Sequence, residues 1–162
     1  MAIVLVGPMG AGKTTLGKKV AKKLGLSFAD TDSLVAKDHG AITKIFEKHG
    51  EDHFRNLETK YLRSALERFE VVATGGGVIL RDENRELLEP HKVIFLDTDQ
   101  QSVIGKINLD KRPLLKNDPD SWGRIYQERL ALYREVADHE IFTGSRAVTT
   151  LVKELEELIV DN

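Results

Sequence analysis

The chain contains no cysteine, a single tryptophan and only four prolines, and nowhere does it hold the roughly 20 consecutive apolar residues that a membrane-spanning helix needs. Without thiols there is neither a disulfide framework nor a thiolate metal centre. The one apolar run near the start, Ala2 to Val6, is too short for the core of a signal peptide and has no basic segment before it, so a cytoplasmic location is the expectation. An excess of charge is missing too. Lys and Arg number 24 against 26 Asp and Glu, a formal net charge of -2, which excludes an overall basic field for nucleic acid or an acidic membrane surface. No repeat or low-complexity tract interrupts the 162 residues, a length usual for one domain. A single domain over 1–162, acting as a monomer, is expected.

What is present is an alternation of apolar strands and amphipathic helices. Ile3 to Val6 is β-branched and continuously apolar, as suits a strand buried on both faces, and Leu16, Val20 and Leu24 follow at helical spacing. A second strand is expected at Leu26 to Ala29. A charged helical stretch then has Phe54, Leu57, Tyr61 and Ala65 on one face, and further strands are read at Val71 to Ala73, Lys92 to Leu96 and Glu140 to Thr143. Val103 to Ile107 reads as helix. Ser121 is placed to cap the next helix, with Trp122, Ile125, Tyr126 and Leu130 on its inner side, and Val148 to Ile159 forms an amphipathic helix. The tryptophan is expected only to pack. Between helices, "NLDKRPLLKNDPDS" is polar and holds two prolines, marking an excursion within the domain. Strands that alternate with helices imply a parallel sheet covered on both faces, with ligands at the carboxyl ends of the strands.

Three suspect segments follow such strands directly. "GPMGAGKT", Gly7 to Thr14, satisfies G-x-x-x-x-G-K-[ST], the phosphate-binding loop. Its glycines let successive backbone N–H groups turn toward phosphates, and the helix N-terminus beyond adds partial positive charge. Lys13 reaches the outer phosphates, and the Thr14 hydroxyl suits Mg²⁺. The second segment, "FADTDS", offers Asp30 and Asp32, which in extended backbone point the same way: one for water on a metal, the other for a substrate hydroxyl. As loop aspartates they also suit capping of the next helix. The third, Gly75 to Gly77, lets a small molecule lie against bare backbone, or is simply a turn.

Cations complete the set. Arg55 stands one helical turn before Glu58, close enough to pair. Arg112, within "KRPLL", and Arg129 are available for phosphate and carboxylate, although each is equally consistent with a solvated surface position. Acidic groups for hydroxyls and arginines for a carboxylate suggest a small polar acid as phosphoryl acceptor.

In order and spacing, "GPMGAGKTT", "DTD", "F-R-x-L-E" at Phe54 to Glu58, "TGGG" at Thr74 to Gly77, "KRPLL" and "ERLALY" at Glu128 to Tyr133 resemble the shikimate kinases along almost the whole chain. The resemblance implies an α/β three-layer P-loop fold of the nucleoside monophosphate kinase type: a five-stranded parallel sheet in order 2-3-1-4-5 flanked by helices, with a mobile lid at about 107–120. It also implies transfer of the γ-phosphate of ATP to the 3-hydroxyl of shikimate, on the route to aromatic amino acids. By that resemblance Gly10, Ala11, Gly12, Lys13, Thr14 and Thr15 hold the nucleotide, while Thr14 and, through water, Asp30 serve Mg²⁺. Asp32, Arg55, Gly75, Gly76, Gly77 and Arg129 bind shikimate. Lys13, Asp32 and Arg112 are the expected catalytic groups, Arg112 descending with the lid onto the nucleotide.

Some positions depart from the family pattern. An arginine that often stands seven residues before the one in "RPLL" is here Gly105, flanked by Lys106, and Arg146 aligns near a second adenine-contacting position. "ALY" replaces the common "PLY", and Thr14 replaces the usual serine while keeping its hydroxyl. A kinase for another polyol acid such as gluconate, and a catalytically silent relative serving as a binding module, are the competing readings; retention of Lys13, Asp30 and Asp32 speaks against the second.

Overall fold

The structure is a computed structural model and describes residues 1–104 and 120–160. The expected lid, apart from Asp120, falls outside the described residues, as do Gly105 and Arg112. The elements in chain order are β1 (Ile3–Val6), α1 (Lys13–Leu24), β2 (Phe28–Asp30), α2 (Thr31–His39), α3 (Ile42–Arg68), β3 (Val71–Ala73), a 3-10 turn (Val78–Leu80), α4 (Asp82–Leu88), β4 (Lys92–Asp97), α5 (Gln100–Ile104), α6 (Ser121–Val136), β5 (His139–Phe142) and α7 (Val148–Val160). The strands form one sheet in the order β2-β3-β1-β4-β5, and every pairing is parallel.

All four residues of β1 are buried, because alternate side chains serve different cores. Val4 and Val6 pack with Val72, Phe95, Leu62 and Tyr133 under α3 and α6. Ile3 and Leu5 pack with Leu16, Val20, Leu151 and Leu155 under α1 and α7. A strand with helices over both faces reads as an unbroken apolar run, which is why β1 was legible without any alternation. A smaller cluster of Val35, Ile45 and Phe54, flanked by Leu57 and Tyr61, packs α2 onto α3. Within α3, Gly50 at φ 84, ψ 174 breaks the helical path and divides the element in two.

The boundaries shift from the sequence reading in physically informative ways. Leu26 does not join β2: its N–H bonds to Ala21 O, five residues back, and with Gly25 in the left-handed region it closes α1, so the strand begins at Phe28. The α5 helix starts at Gln100, three residues before the expected Val103, with Asp99 accepting the Ser102 N–H. Ser121 is the first residue of α6 and is buried, so it lies inside the helix and the cap position falls to Asp120 instead of the expected Ser121. At β5 the strand runs one residue earlier than expected. Thr143 instead turns both its N–H and its hydroxyl onto Asp97 O, fastening the end of β5 to the end of β4.

Candidate active site

The carboxyl ends of β1, β2 and β3 bring the glycine loop, the aspartates and the glycine triplet to one rim. The loop between β1 and α1 takes its shape from Gly7, Gly10 and Gly12, at φ 148, 85 and 94. At Gly10 a side chain is excluded twice, by its positive φ and by Val103, whose methyls stand 2.8 and 3.0 Å from where a Cβ would lie. The α1 helix starts without a side-chain cap, which leaves the amides of its first turn available to an anion. Lys13, only 9 % exposed, folds back so that Nζ donates to Gly7 O at 2.5 Å and Pro8 O at 3.0 Å. Its cation thus sits inside the loop, while Thr14 and Thr15 face outward.

The two aspartates do not lie on one extended segment. β2 ends at Asp30 and α2 begins at Thr31, so the backbone between them is already helical and the extended spacing rule fails. Asp30 caps α2 by accepting Ser33 N–H at 3.1 Å through Oδ1, while Oδ2 accepts the Thr14 hydroxyl. The capping role is thus made, and the second carboxylate oxygen is set beside the Thr14 hydroxyl. Asp32, in the first turn of α2, faces the glycine triplet: a Cβ on Gly75 would lie 2.7 Å from Asp32 Oδ1 and 3.1 Å from Glu58 Oε2.

The triplet is a bed lined by charge. A Cβ on Gly76 would lie 3.5 Å from Arg129 Nη1 and 3.6 Å from Met9 N, and one on Gly77 would overlap the Arg55 guanidinium, 2.6 Å from Nη2. Asp32, Arg55, Glu58 and Arg129, from three helices, thus converge on three successive glycines, and the bed adjoins the loop through Met9. Arg55 and Glu58 are no surface pair. Nη1 and Oε1 lie 2.9 Å apart with the side chains 12 % and 1 % exposed, and Glu51 holds the other edge of the guanidinium at Nε, 3.3 Å away. Burial raises the Glu58 carboxyl above its ordinary range, outweighing the lowering by Arg55. Its Oε2 is buried and unpartnered, aimed into the bed.

Sequence reasoning missed three residues. Tyr133, fully buried and stacked on Phe95 at 5.1 Å, donates its hydroxyl to Gly76 O at 2.6 Å and so fixes the middle of the bed. Burial pushes its phenol up to about 12 against the opposing Arg129 guanidinium, which keeps it a donor at neutral pH. Trp122 donates Nε1–H to Met9 O at 2.8 Å, and Tyr126 donates to Asp97 Oδ1 at 2.8 Å. The signal available was the helical spacing of Trp122, Tyr126, Arg129 and Tyr133, but their acceptors lie far off in the chain. Arg146 is exposed, donates to Phe142 O at 2.9 Å and pairs with Glu154. Its neighbour Ser145 meets Ser102 at 3.1 Å, which sets this turn beside α5, the helix that backs Gly10.

A family model described as shikimate kinase matches residues 9–160. A shikimate kinase of Caldicellulosiruptor bescii is 46% identical over 148 residues, 87% of this chain and 85% of the relative. One of Clostridium beijerinckii is 36% identical over 163 residues, 99% of this chain and 95% of the relative. Among solved structures, a shikimate kinase from Acinetobacter baumannii in complex with shikimate superposes with a TM-score of 0.92 at 40% identity, covering 99% of this chain and 93% of that one. The five-stranded parallel sheet in the order β2-β3-β1-β4-β5 agrees with these structural likenesses, and the chain belongs to the shikimate kinase family.

Proposed function

We propose that the bed at Gly75 to Gly77 is where this ATP-dependent kinase holds shikimate while the γ-phosphoryl group passes to its 3-hydroxyl, giving shikimate 3-phosphate and ADP. One observation carries the reading: two carboxylates and two guanidiniums converge on three bare glycines, and Gly76 adjoins the phosphate-binding loop. A polyhydroxy carboxylic acid needs that mixture, cations for its carboxylate and anions for its hydroxyls. Arg55, braced by Glu51 and Glu58, and Arg129 take the carboxylate. Asp32 orients the acceptor hydroxyl and receives its proton as the oxygen attacks phosphorus. The spare Glu58 Oε2 accepts from a second hydroxyl.

Gly10 to Thr15 bind the phosphates, and Lys13 exchanges its loop carbonyls for the outer phosphate oxygens, where its charge offsets what develops in transfer. The Thr14 hydroxyl and Asp30 carboxylate, already in contact, are the hard-oxygen set that suits Mg²⁺. When bound, Mg²⁺ neutralises charge on the β- and γ-phosphates. Arg112 is assigned to the phosphates and Arg146 to the adenine side, Arg112 lying outside the described residues. No helix among the described residues is long and apolar enough to cross a membrane. We take the enzyme to act as a cytoplasmic monomer of one domain.

ADP release with Mg-ATP and shikimate, gluconate or no acceptor tests the reading. Release stimulated by shikimate alone is expected; equal stimulation by gluconate, or none by either while ATP binds, overturns it.

A further inference from the structure

We infer that Trp122 is a positioning residue for the phosphate-binding loop, acting through the carbonyl of Met9 to aim the Gly10 N–H at the nucleotide. The chain's one tryptophan is 4 % exposed, and its indole N–H donates to Met9 O at 2.8 Å across 113 residues of sequence. The ring is held on several sides. It stacks on Tyr126 at 5.0 Å with 9° between planes and shares a small cluster with Val103 and Met9. Tyr126 is itself anchored by its hydroxyl to Asp97 Oδ1, which also accepts Thr98 N–H at 2.8 Å at the end of β4. Trp122 is therefore a fixed donor tied to the sheet, and Val103 of the same cluster backs Gly10.

The consequence follows from peptide geometry. Met9 C=O and Gly10 N–H belong to one planar trans unit and point in opposite directions. Gly10, at φ 85, sits in backbone that glycine leaves free to rotate. A carbonyl drawn toward the indole turns the Gly10 N–H to the opposite side, away from Trp122. An aliphatic side chain at 122 would fill the same space and leave that peptide unit without its outside partner. Packing explains the ring; only the N–H explains the orientation.

The inference rests on the assignment of the glycine loop to the nucleotide, and the experiment separates the two. ADP affinity, and the KM values for ATP and shikimate, are measured for the wild type and for Trp122→Phe, which keeps the stack on Tyr126 but loses the donor. ADP binding is expected to weaken about three- to tenfold, the loss of one hydrogen bond's net contribution, with the ATP KM following and the shikimate KM within about twofold. Because the chain has one tryptophan, the wild-type emission is expected to change saturably with Mg-ADP. Unchanged ADP affinity in Trp122→Phe, equal weakening of both substrates, or wild-type emission indifferent to bound ADP overturns the role of Trp122 and leaves the loop assignment standing. A wild type that binds no nucleotide overturns both.

Discussion

The loop proposed for the nucleotide and the bed proposed for the acceptor lie side by side, yet they are built on opposite plans. The loop is one continuous segment, Gly7 to Thr15, whose donors are mostly its own amides, shaped by three glycines at positive φ and held from outside by the bond from Trp122 to Met9 O. The bed offers almost no side chain of its own. Its chemistry arrives from α2, α3 and α6, as Asp32, Arg55 with Glu58, and Arg129, and glycine serves to leave room for them. Damage to the loop should therefore act through backbone conformation, and damage to the bed through single charges brought together by the fold.

Asp32→Asn should show the largest effect: kcat falling about 10²- to 10⁴-fold, the range for a lost proton acceptor, with ADP affinity unchanged. Steady-state kinetics and an ADP titration check it, and wild-type turnover would remove Asp32 from the chemistry. Next, Arg129→Ala should raise the shikimate KM about 10- to 100-fold, as expected for a charged hydrogen-bonding partner, and the ATP KM about twofold at most. An unchanged shikimate dependence would return Arg129 to the surface.

A pair of glycine substitutions sharpens the contrast. Gly77→Ala meets no φ penalty, since Gly77 sits at φ -99, but its methyl would displace the Arg55 guanidinium. About tenfold weaker shikimate binding is expected, with the ATP KM near wild type. Gly10→Ala carries both backbone strain and a clash with Val103, and should weaken ATP first. The opposite pattern in either variant would contradict the two plans.

The smallest effect concerns stability. The Glu58 carboxyl is raised in the folded protein from its ordinary 4.5, so the unfolded chain releases that proton first. Stability contributed by the protonated form is full below that value and is lost as pH rises through the folded one. Glu58→Gln should remove this slope, so its thermal midpoint gains on the wild type from pH 4.5 upward, measured by calorimetry across that range. Parallel pH profiles would show that Arg55 compensates the buried carboxylate fully.

The same division explains what could be read in advance. "GPMGAGKT" carries its chemistry in its spacing, and an apolar strand before it and a helical period after it locate it without help from the rest of the fold. The bed could be assembled from sequence only through the family pattern, because Gly76 meets Tyr133, 57 residues away, and the loop meets Trp122, 113 residues away, through backbone carbonyls that carry no residue signature. For Asp30 and Asp32 the premise of one extended segment fails for a local reason: the cap bond from Ser33 N–H to Asp30 marks the end of the strand, and Asp32 already lies on a helix. Leu26 was drawn into a strand because its apolar character suits one, although its N–H is needed to close α1. Arg55 and Glu58 at helical spacing gave the pair but not its burial, which follows from the packing of α3 beneath the bed.

The most direct measurement is a crystal structure with shikimate and Mg-ADP bound. The account predicts the shikimate carboxylate between Arg55 and Arg129, its ring over Gly75 to Gly77, and its 3-hydroxyl beside Asp32 facing the loop. Shikimate bound elsewhere, or with its carboxylate turned to Asp32 and Glu58, would contradict it.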